Sequence, residues 1–431
     1  MQKLALFGGK PILNKKLEEY NSLGKEEERA VLKVMKDRVI SDFLGRAGKY
    51  FLGGKYVKEL EKRFCSYFKV KYAISFNSAT TALQTAVGAL GIGPGDEVIT
   101  SPFTMSATAS AILFNNALPV FCDINERNFC LDPAKIEKLI NKNTKAILAV
   151  NLFGGSADYN SILKIAKKHN LKIIEDNAQS AGATYENKFT GTIGDIGIFS
   201  FNVHKVIQSG EGGMLVTNNK KYAFRAQLIR NHGEAVINDL KDKRVYEPVL
   251  GNNFRMTELQ AAIVMQQLKK LKKLNQKRIV NAEYLAKNLK KFSWMTTTKI
   301  RKENTNIYYT FPIRFLAKEI GVERITFTKS MKAEGFDLGQ GYQEPIYLFP
   351  AYQKKKIYPN SKFPFISKEY KNNVSYKKGI CPVAEKMYEK ELLCTNICQM
   401  AKNKKEIDLF IGAIEKIEKN IKELKQYEKR I

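Results

Sequence analysis

Histidine and cysteine are scarce: three and six in 431 residues. The cysteines stand at 65, 122, 130, 381, 394 and 398, and none pairs as C-x-x-C. A zinc site and a disulfide framework are therefore not expected, and no metal is. Cys65, Cys122 and Cys381 sit beside apolar residues and read as small core residues. No apolar run reaches the roughly 18 residues needed to span a bilayer. The apolar stretch in MQKLALFGGKP is too short for a secretory signal. The reading is a cytoplasmic protein without a membrane partner. Internal repeats are lacking, and so is a basic tail. Acidic residues are few beside basic ones, 43 against 72, for a formal charge of +29. The lysines follow helix faces, as in 268–277 and 402–429, and no nucleic-acid motif accompanies them. They read as a solvated surface, with no nucleic-acid partner. The field still favours anionic ligands.

What the chain does have is alternation. Short apolar runs at 72–76, 97–100, 119–122, 145–150 and 171–174 read as buried strands. Helical patterns lie between and around them. Residues 26–36 put Ala30, Val31, Val34 and Met35 on one side, and Val57, Leu60, Phe64 and Phe68 keep the 3–4 spacing. A further helix is expected at 133–140. Such alternation predicts an α/β fold, a mostly parallel sheet flanked by helices. Near residue 280 the pattern changes to lysine-rich helices, a strand at 310–315 and a helix around 326–334. A final amphipathic helix from Lys402 aligns Ile407, Phe410, Ile414, Ile417, Ile421 and Leu424. The division predicted is a large domain over 1–280 and a smaller α/β domain over 281–431.

Residues 195–215, DIGIFSFNVHKVIQSGEGGML, carry the chemistry. Lys205 lies between two apolar runs. An amine held near a core loses hydration and can act as a nucleophile or form a Schiff base. A surface lysine on a hairpin is the other reading. Upstream, the strand at 171–174 ends in Glu175-Asp176-Asn177. A carboxylate at the C-terminal end of a strand sits where open α/β sheets bind ligands; Asp176 could equally cap a helix. Together, Asp176 and a later lysine are what pyridoxal phosphate (PLP) needs. The lysine holds the aldehyde and the carboxylate keeps the pyridine nitrogen protonated. Asn77-Ser78-Ala79-Thr80 opens a helix of small residues. That is an anion site by its N–H groups, or a plain cap at Ser78 or Thr80.

SFNVHKVIQSGEGG resembles the S-F-x-x-x-K-x-x-x-x-G-E-G-G motif of the DegT/StrS family of PLP-dependent sugar aminotransferases, and the resemblance runs through nearly the whole chain. It implies a fold type I transferase, with a large domain built on a seven-stranded-type mixed sheet. It makes Lys205 and Asp176 the catalytic pair and adds Ser200 to the cofactor site. Ala79 and Thr80 then lie under the cofactor phosphate. Met105 stands where the family usually stacks an aromatic on the ring. Gln179 falls near the ring hydroxyl; without the family it reads as a polar residue opening a helix. GNNFRMTELQAAI resembles the family's G-x-N-[YF]-R-M segment, which makes Asn253 a ligand of the neighbouring subunit's phosphate. The partner implied is a second copy, a homodimer with shared active sites. Thr257 and Gln260 also form a capping box, so part of that segment is structural.

LALFGGKPIL and Cys381-Pro382-Val383-Ala384-Glu385 resemble motifs of the cyclitol, or scyllo-inosose, subgroup. The aromatic segment GQGYQEPIYLFPAY resembles that subgroup's loop and offers Tyr342 and Tyr347 to a substrate. The expected reaction moves an amino group from glutamate or glutamine to a keto-sugar, nucleotide-linked or free, or to a keto-cyclitol. It would serve amino-sugar, polysaccharide or secondary-metabolite biosynthesis. Two rivals stand. A PLP-dependent sugar dehydratase or deoxygenase would replace the lysine by histidine; His204 is adjacent, but Lys205 is in register. A non-enzymatic regulator would have no use for an intact Lys/Asp/Ser/Asn set.

Overall fold

The computed structural model describes residues 2–240, 247–370 and 373–430. Two helices, α1 (Lys25–Asp37) and α2 (Lys55–Phe68), precede the first strand. Then come β1 (Tyr72–Phe76), α3 (Ala79–Ala89), β2 (Glu97–Thr100), α4 (Ala107–Leu113), β3 (Leu118–Phe121), β4 (Thr144–Val150), α5 (Tyr159–Lys168) and β5 (Lys172–Asp176). A two-stranded hairpin, β6 (Thr184–Tyr185) and β7 (Lys188–Phe189), leads to β8 (Ile196–Ser200) and β9 (Gly213–Thr217). Helices α6 (Lys220–Arg230), α7 (Gly233–Asn238) and α8 (Glu258–Leu289) follow.

Seven strands make one sheet in the order β1-β9-β8-β5-β4-β2-β3. Only β9 runs against its neighbours; the pairs from β8 out to β3 are parallel. Both faces are covered, so the strands are apolar runs rather than alternating ones. β8 (IGIFS) and β9 (GMLVT) are buried at every position. On one face the α2 rings of Phe64 and Phe68 pack on Phe199 of β8, with centroids 5.0 and 4.6 Å apart.

A second sheet of four strands, in the order β10-β11-β13-β12, uses β10 (Met295–Thr297), β11 (Phe311–Phe315), β12 (Gly339–Gln340) and β13 (Leu392–Thr395). Its core includes Ile407, Phe410, Ile414 and Ile417 of the helix Lys404–Lys419. The two halves exchange segments. Leu4 packs in the second core, whereas Ile346, Tyr352, Tyr376 and Met387 pack in the first. Those returning residues cover the edge strand β3: the Tyr376 hydroxyl donates to the Pro119 carbonyl at 3.0 Å. Asp123 accepts the Val383 and Ala384 N–H groups at 3.1 and 3.0 Å. A covered edge cannot pair with another chain. The Cys381–Glu385 motif is thus bound into the fold by its backbone. Position 280 lies inside α8 rather than between elements.

Two helices differ from expectation. Residues 133–140 form two short 3-10 turns, Pro133–Lys135 and Glu137–Leu139, closed by i→i−3 bonds. The last helix breaks at Asn420, so Ile421 and Leu424 belong to a separate helix, Ile421–Glu428. Among the described residues no helix is long and apolar enough to cross a membrane.

Candidate active site

The pairing register gathers four strand ends at one edge of the large sheet. Phe76 pairs with Gly213, Gly213 with Ser200, and Asp176 with Ile198 of the next strand. Three strand spacings, roughly 14 Å, separate β1 from β5. At one end stands the start of α3. Ser78 is its cap, accepting the Thr81 N–H at 3.1 Å. The N–H groups of Ala79 and Thr80 have no intrahelical acceptor, as at any helix start. The two readings of this turn are compatible: Ser78 caps, and the N–H groups of Ala79 and Thr80 are left at the positive end of the helix dipole. Gly213 allows this closeness. A Cβ there would lie 2.5 Å from the Ser78 carbonyl and 2.6 Å from the Ala79 nitrogen.

At the other end stands Asp176, buried at the tip of β5. One oxygen accepts from the Thr108 hydroxyl at 2.8 Å, the other from the Ala178 N–H at 3.2 Å. No helix starts at 177–183, so neither the cap at Asp176 nor a helix start at Gln179 is what these residues do. Burial raises the Asp176 carboxyl above its ordinary value, against those two bonds and the Lys205 charge. Strand alternation separates it from Glu175, which faces the other way and accepts the Gly191 and Gly194 N–H groups at 2.7 and 2.6 Å. Glu175 is held by backbone N–H groups, whereas Asp176 has two hydrogen bonds and the more distant Lys205 charge.

Lys205 lies in the β8–β9 turn, partly exposed, its N–H on the Asn202 carbonyl at 2.8 Å. Its ammonium stands 4.7 Å from the centre of the Tyr309 ring. It is therefore packed against a ring from the later part of the chain and not on a free hairpin. Ser200, at the strand end before it, is buried, and its hydroxyl accepts the Asn202 N–H at 3.3 Å. Gln179 bridges two walls. Its oxygen accepts the Phe153 N–H at 2.9 Å and its amide donates to the Tyr342 hydroxyl at 2.7 Å. Tyr342 rests edge-on against Phe103 and Phe153. Burial raises its phenol well above the ordinary value.

Met105, on the loop before α4, is 53 % exposed. Asn253 is exposed too, while Phe254 beside it accepts the Asn77 N–H at 2.9 Å. The expectation for Tyr347 is corrected. It is fully buried, its hydroxyl donates to Glu385, and it packs on Phe121. The apolar environment of β3, not a substrate, is what that ring fills. Thr108, Tyr309 and Phe153 were not foreseen. For Thr108 there was a signal: it is four residues after Thr104, and their hydroxyls meet at 3.1 Å across the start of α4.

The sequence profile of the DegT/DnrJ/EryC1/StrS aminotransferase family matches residues 39–392. The chain belongs to this family. GDP-perosamine synthase of Caulobacter vibrioides is 37 % identical over 300 residues, which cover 69 % of this chain and 79 % of that protein. A putative L-glutamine:3-amino-2,3-dideoxy-scyllo-inosose aminotransferase of Micromonospora echinospora is 29 % identical, over 99 % of both chains. The solved aminotransferase of Psychrobacter cryohalolentis superposes with a TM-score of 0.80 at 27 % identity, over 94 % of this chain and 99 % of that one. Membership makes the chain a PLP-dependent aminotransferase of fold type I. Its residues fit the cofactor family members carry. A buried, under-compensated carboxylate suits a protonated pyridine, and free N–H groups at a helix start suit a phosphate.

Proposed function

We propose that this aminotransferase takes the amino group of glutamate or glutamine and delivers it to the ketone of a keto-sugar, nucleotide-linked or free, or of a keto-cyclitol. The observation that carries the reading is Asp176, buried and short of compensating charge on the same sheet edge as Lys205. PLP, when bound, supplies an electron sink that makes the substrate Cα–H acidic. The chain supplies the rest. Asp176, oriented by Thr108, keeps a positive charge at the ring nitrogen. Lys205 Nζ holds the cofactor between turnovers and, once displaced, carries the proton off and back on as general base and acid. Ala79, Thr80 and Ser200 anchor the phosphate end. Gln179, tied to the Tyr342 hydroxyl, stands near the ring hydroxyl, and the two side chains form a wall that limits water. Met105 takes the position usually held by a stacking aromatic, where its thioether can contact a π face.

We also propose a cytoplasmic homodimer with shared sites, in which Asn253 serves the phosphate of the second subunit. The support is a run of exposed apolar side chains around that residue. Leu250 is 81 % exposed. Leu44, whose carbonyl accepts the Asn231 amide at 2.8 Å, is exposed as well, and Asn231 bridges to Asn253. We take the molecule as two domains, one on each sheet, with 1–20 and 341–390 as the exchanged segments. The dehydratase reading has less support: His204 is exposed, whereas Lys205 is partly buried against the Tyr309 ring. The test is to convert the enzyme to its pyridoxamine form and offer candidate ketones. The ketone that restores the PLP spectrum is the acceptor. If no keto-sugar or keto-cyclitol does so while a simple 2-keto acid does, the proposed acceptor class is wrong.

A further inference from the structure

A second cavity, of about 370 Å3, lies behind Phe153. It is framed by the loop after β3, the turn after β4 and the segment 298–306. Its volume is that of a small-molecule pocket. Its chemistry is one-sided. Four asparagines line it, and each has spent its oxygen on a backbone N–H. Asn125 accepts from Arg127 and Asn128 from Cys130, at 3.0 and 3.1 Å. Asn304 accepts from Glu186 and Asn306 from Tyr308, at 3.0 and 2.7 Å. The amide NH2 of each is what remains, and Asn306 is 95 % buried, being 5 % exposed. Among the described residues, no protein acceptor takes the Asn306 NH2. Arg127, Lys299 and Arg301 add three cations to the lining. The lining's one carboxylate, Asp158, accepts the Tyr185 and Ser161 hydroxyls at 2.7 and 2.9 Å, and against its burial those bonds and the Arg301 charge hold it below its ordinary value. Three cations against one carboxylate, with unpaired amide NH2 groups between them, recognise an anion rich in oxygen.

We infer that this cavity binds a phosphorylated small molecule, at a site separate from that of the cofactor phosphate. Phe153 belongs to both sites. Its N–H donates to Gln179, its ring rests against Tyr342, and the residue is part of the cavity lining. Gly154, at φ +93°, presses the same turn onto the segment leading to Tyr309: a Cβ would lie 2.6 Å from the Tyr308 and Tyr309 nitrogens. An occupant would therefore bear on both the Tyr342 wall and the ring beside Lys205.

The inference does not depend on which ketone is the acceptor. The test uses holoenzyme with the cofactor fixed by borohydride, so that its own phosphate site is filled. Inorganic phosphate, a hexose 6-phosphate and the unphosphorylated hexose are titrated by calorimetry. The expectation is one site per chain for the hexose phosphate, at least tenfold tighter than phosphate, with no binding of the free hexose. The Arg127→Ala/Arg301→Ala double variant should weaken it at least tenfold with the folded-state circular dichroism unchanged. A misfolded double variant is replaced by Lys299→Gln, for which a threefold or greater loss is expected. Absence of saturable binding to wild type, equal affinity for phosphate and hexose phosphate, or binding undiminished in the variants would each overturn the inference.

Discussion

Asp176→Asn separates the site's charge from its shape. The side chain keeps its size, and the Thr108 hydroxyl, already 3.1 Å from Thr104, can turn to donate there and accept from the new amide. What is lost is the negative charge opposite the cofactor nitrogen. That charge is worth more in the transition state than in the ground state, because electron density then flows towards the ring. A fall in turnover of at least about a hundredfold is expected, roughly 3 kcal/mol, with a smaller loss of PLP affinity. The cofactor-free enzyme should respond in the opposite sense. Burial holds the Asp176 carboxyl above its ordinary value. Its contribution to stability is then complete only below the unfolded carboxylate range, near about pH 4. It is lost as the pH rises through the folded value. Asn does not titrate, so cofactor-free Asp176→Asn should gain in stability on wild type as the pH rises above about 4 and through the folded value. Urea unfolding of both proteins across that range, beside steady-state kinetics of the holoenzymes, measures the two effects. Near wild-type turnover, or a stability difference flat with pH, would refute the reasoning.

Thr108→Val removes one donor from the carboxylate, so Asp176 should ionise at higher pH. The acid limb of the kcat profile should move up, with turnover down about tenfold at neutral pH, or about 1.4 kcal/mol. An unmoved limb counts against the Thr108–Asp176 link. Gly213→Ala places a methyl 2.5 Å from the Ser78 backbone; it should cost on the order of 1–3 kcal/mol in unfolding experiments and weaken PLP binding in fluorescence titrations. Equal PLP affinity would mean that the start of α3 does not set the phosphate site. Mixed dimers of Lys205→Ala and Asn253→Ala chains should regain activity, since one of their two sites carries neither defect. Heterodimers that form and stay inactive would argue against sharing.

The parts of the site legible in the sequence were those fixed by local spacing. The strand-turn-strand around Lys205 and the strand ending at Asp176 are continuous segments, and strand alternation puts Glu175 and Asp176 on opposite faces. The capped start of α3 was legible for the same reason. Contacts made across the chain were not. Tyr309 reaches Lys205 from 104 positions away, the difference of their numbers, and nothing local marks it. Tyr342 and Tyr347 look alike in one aromatic loop, yet one meets Gln179 and the other is sealed against β3. Which of them is buried depends on the returning segment folding over an edge strand. Residues 133–140 carry a helical pattern, but the chain has only two short turns there. A run that short nucleates a regular helix poorly.

The most direct measurement is borohydride reduction of the holoenzyme followed by proteolysis and mass spectrometry of the labelled peptide. The account predicts a pyridoxyl group on Lys205 Nζ alone, in a chain that has many other lysines to offer. A label on a different lysine, or an enzyme that transaminates and yields no label, would contradict it.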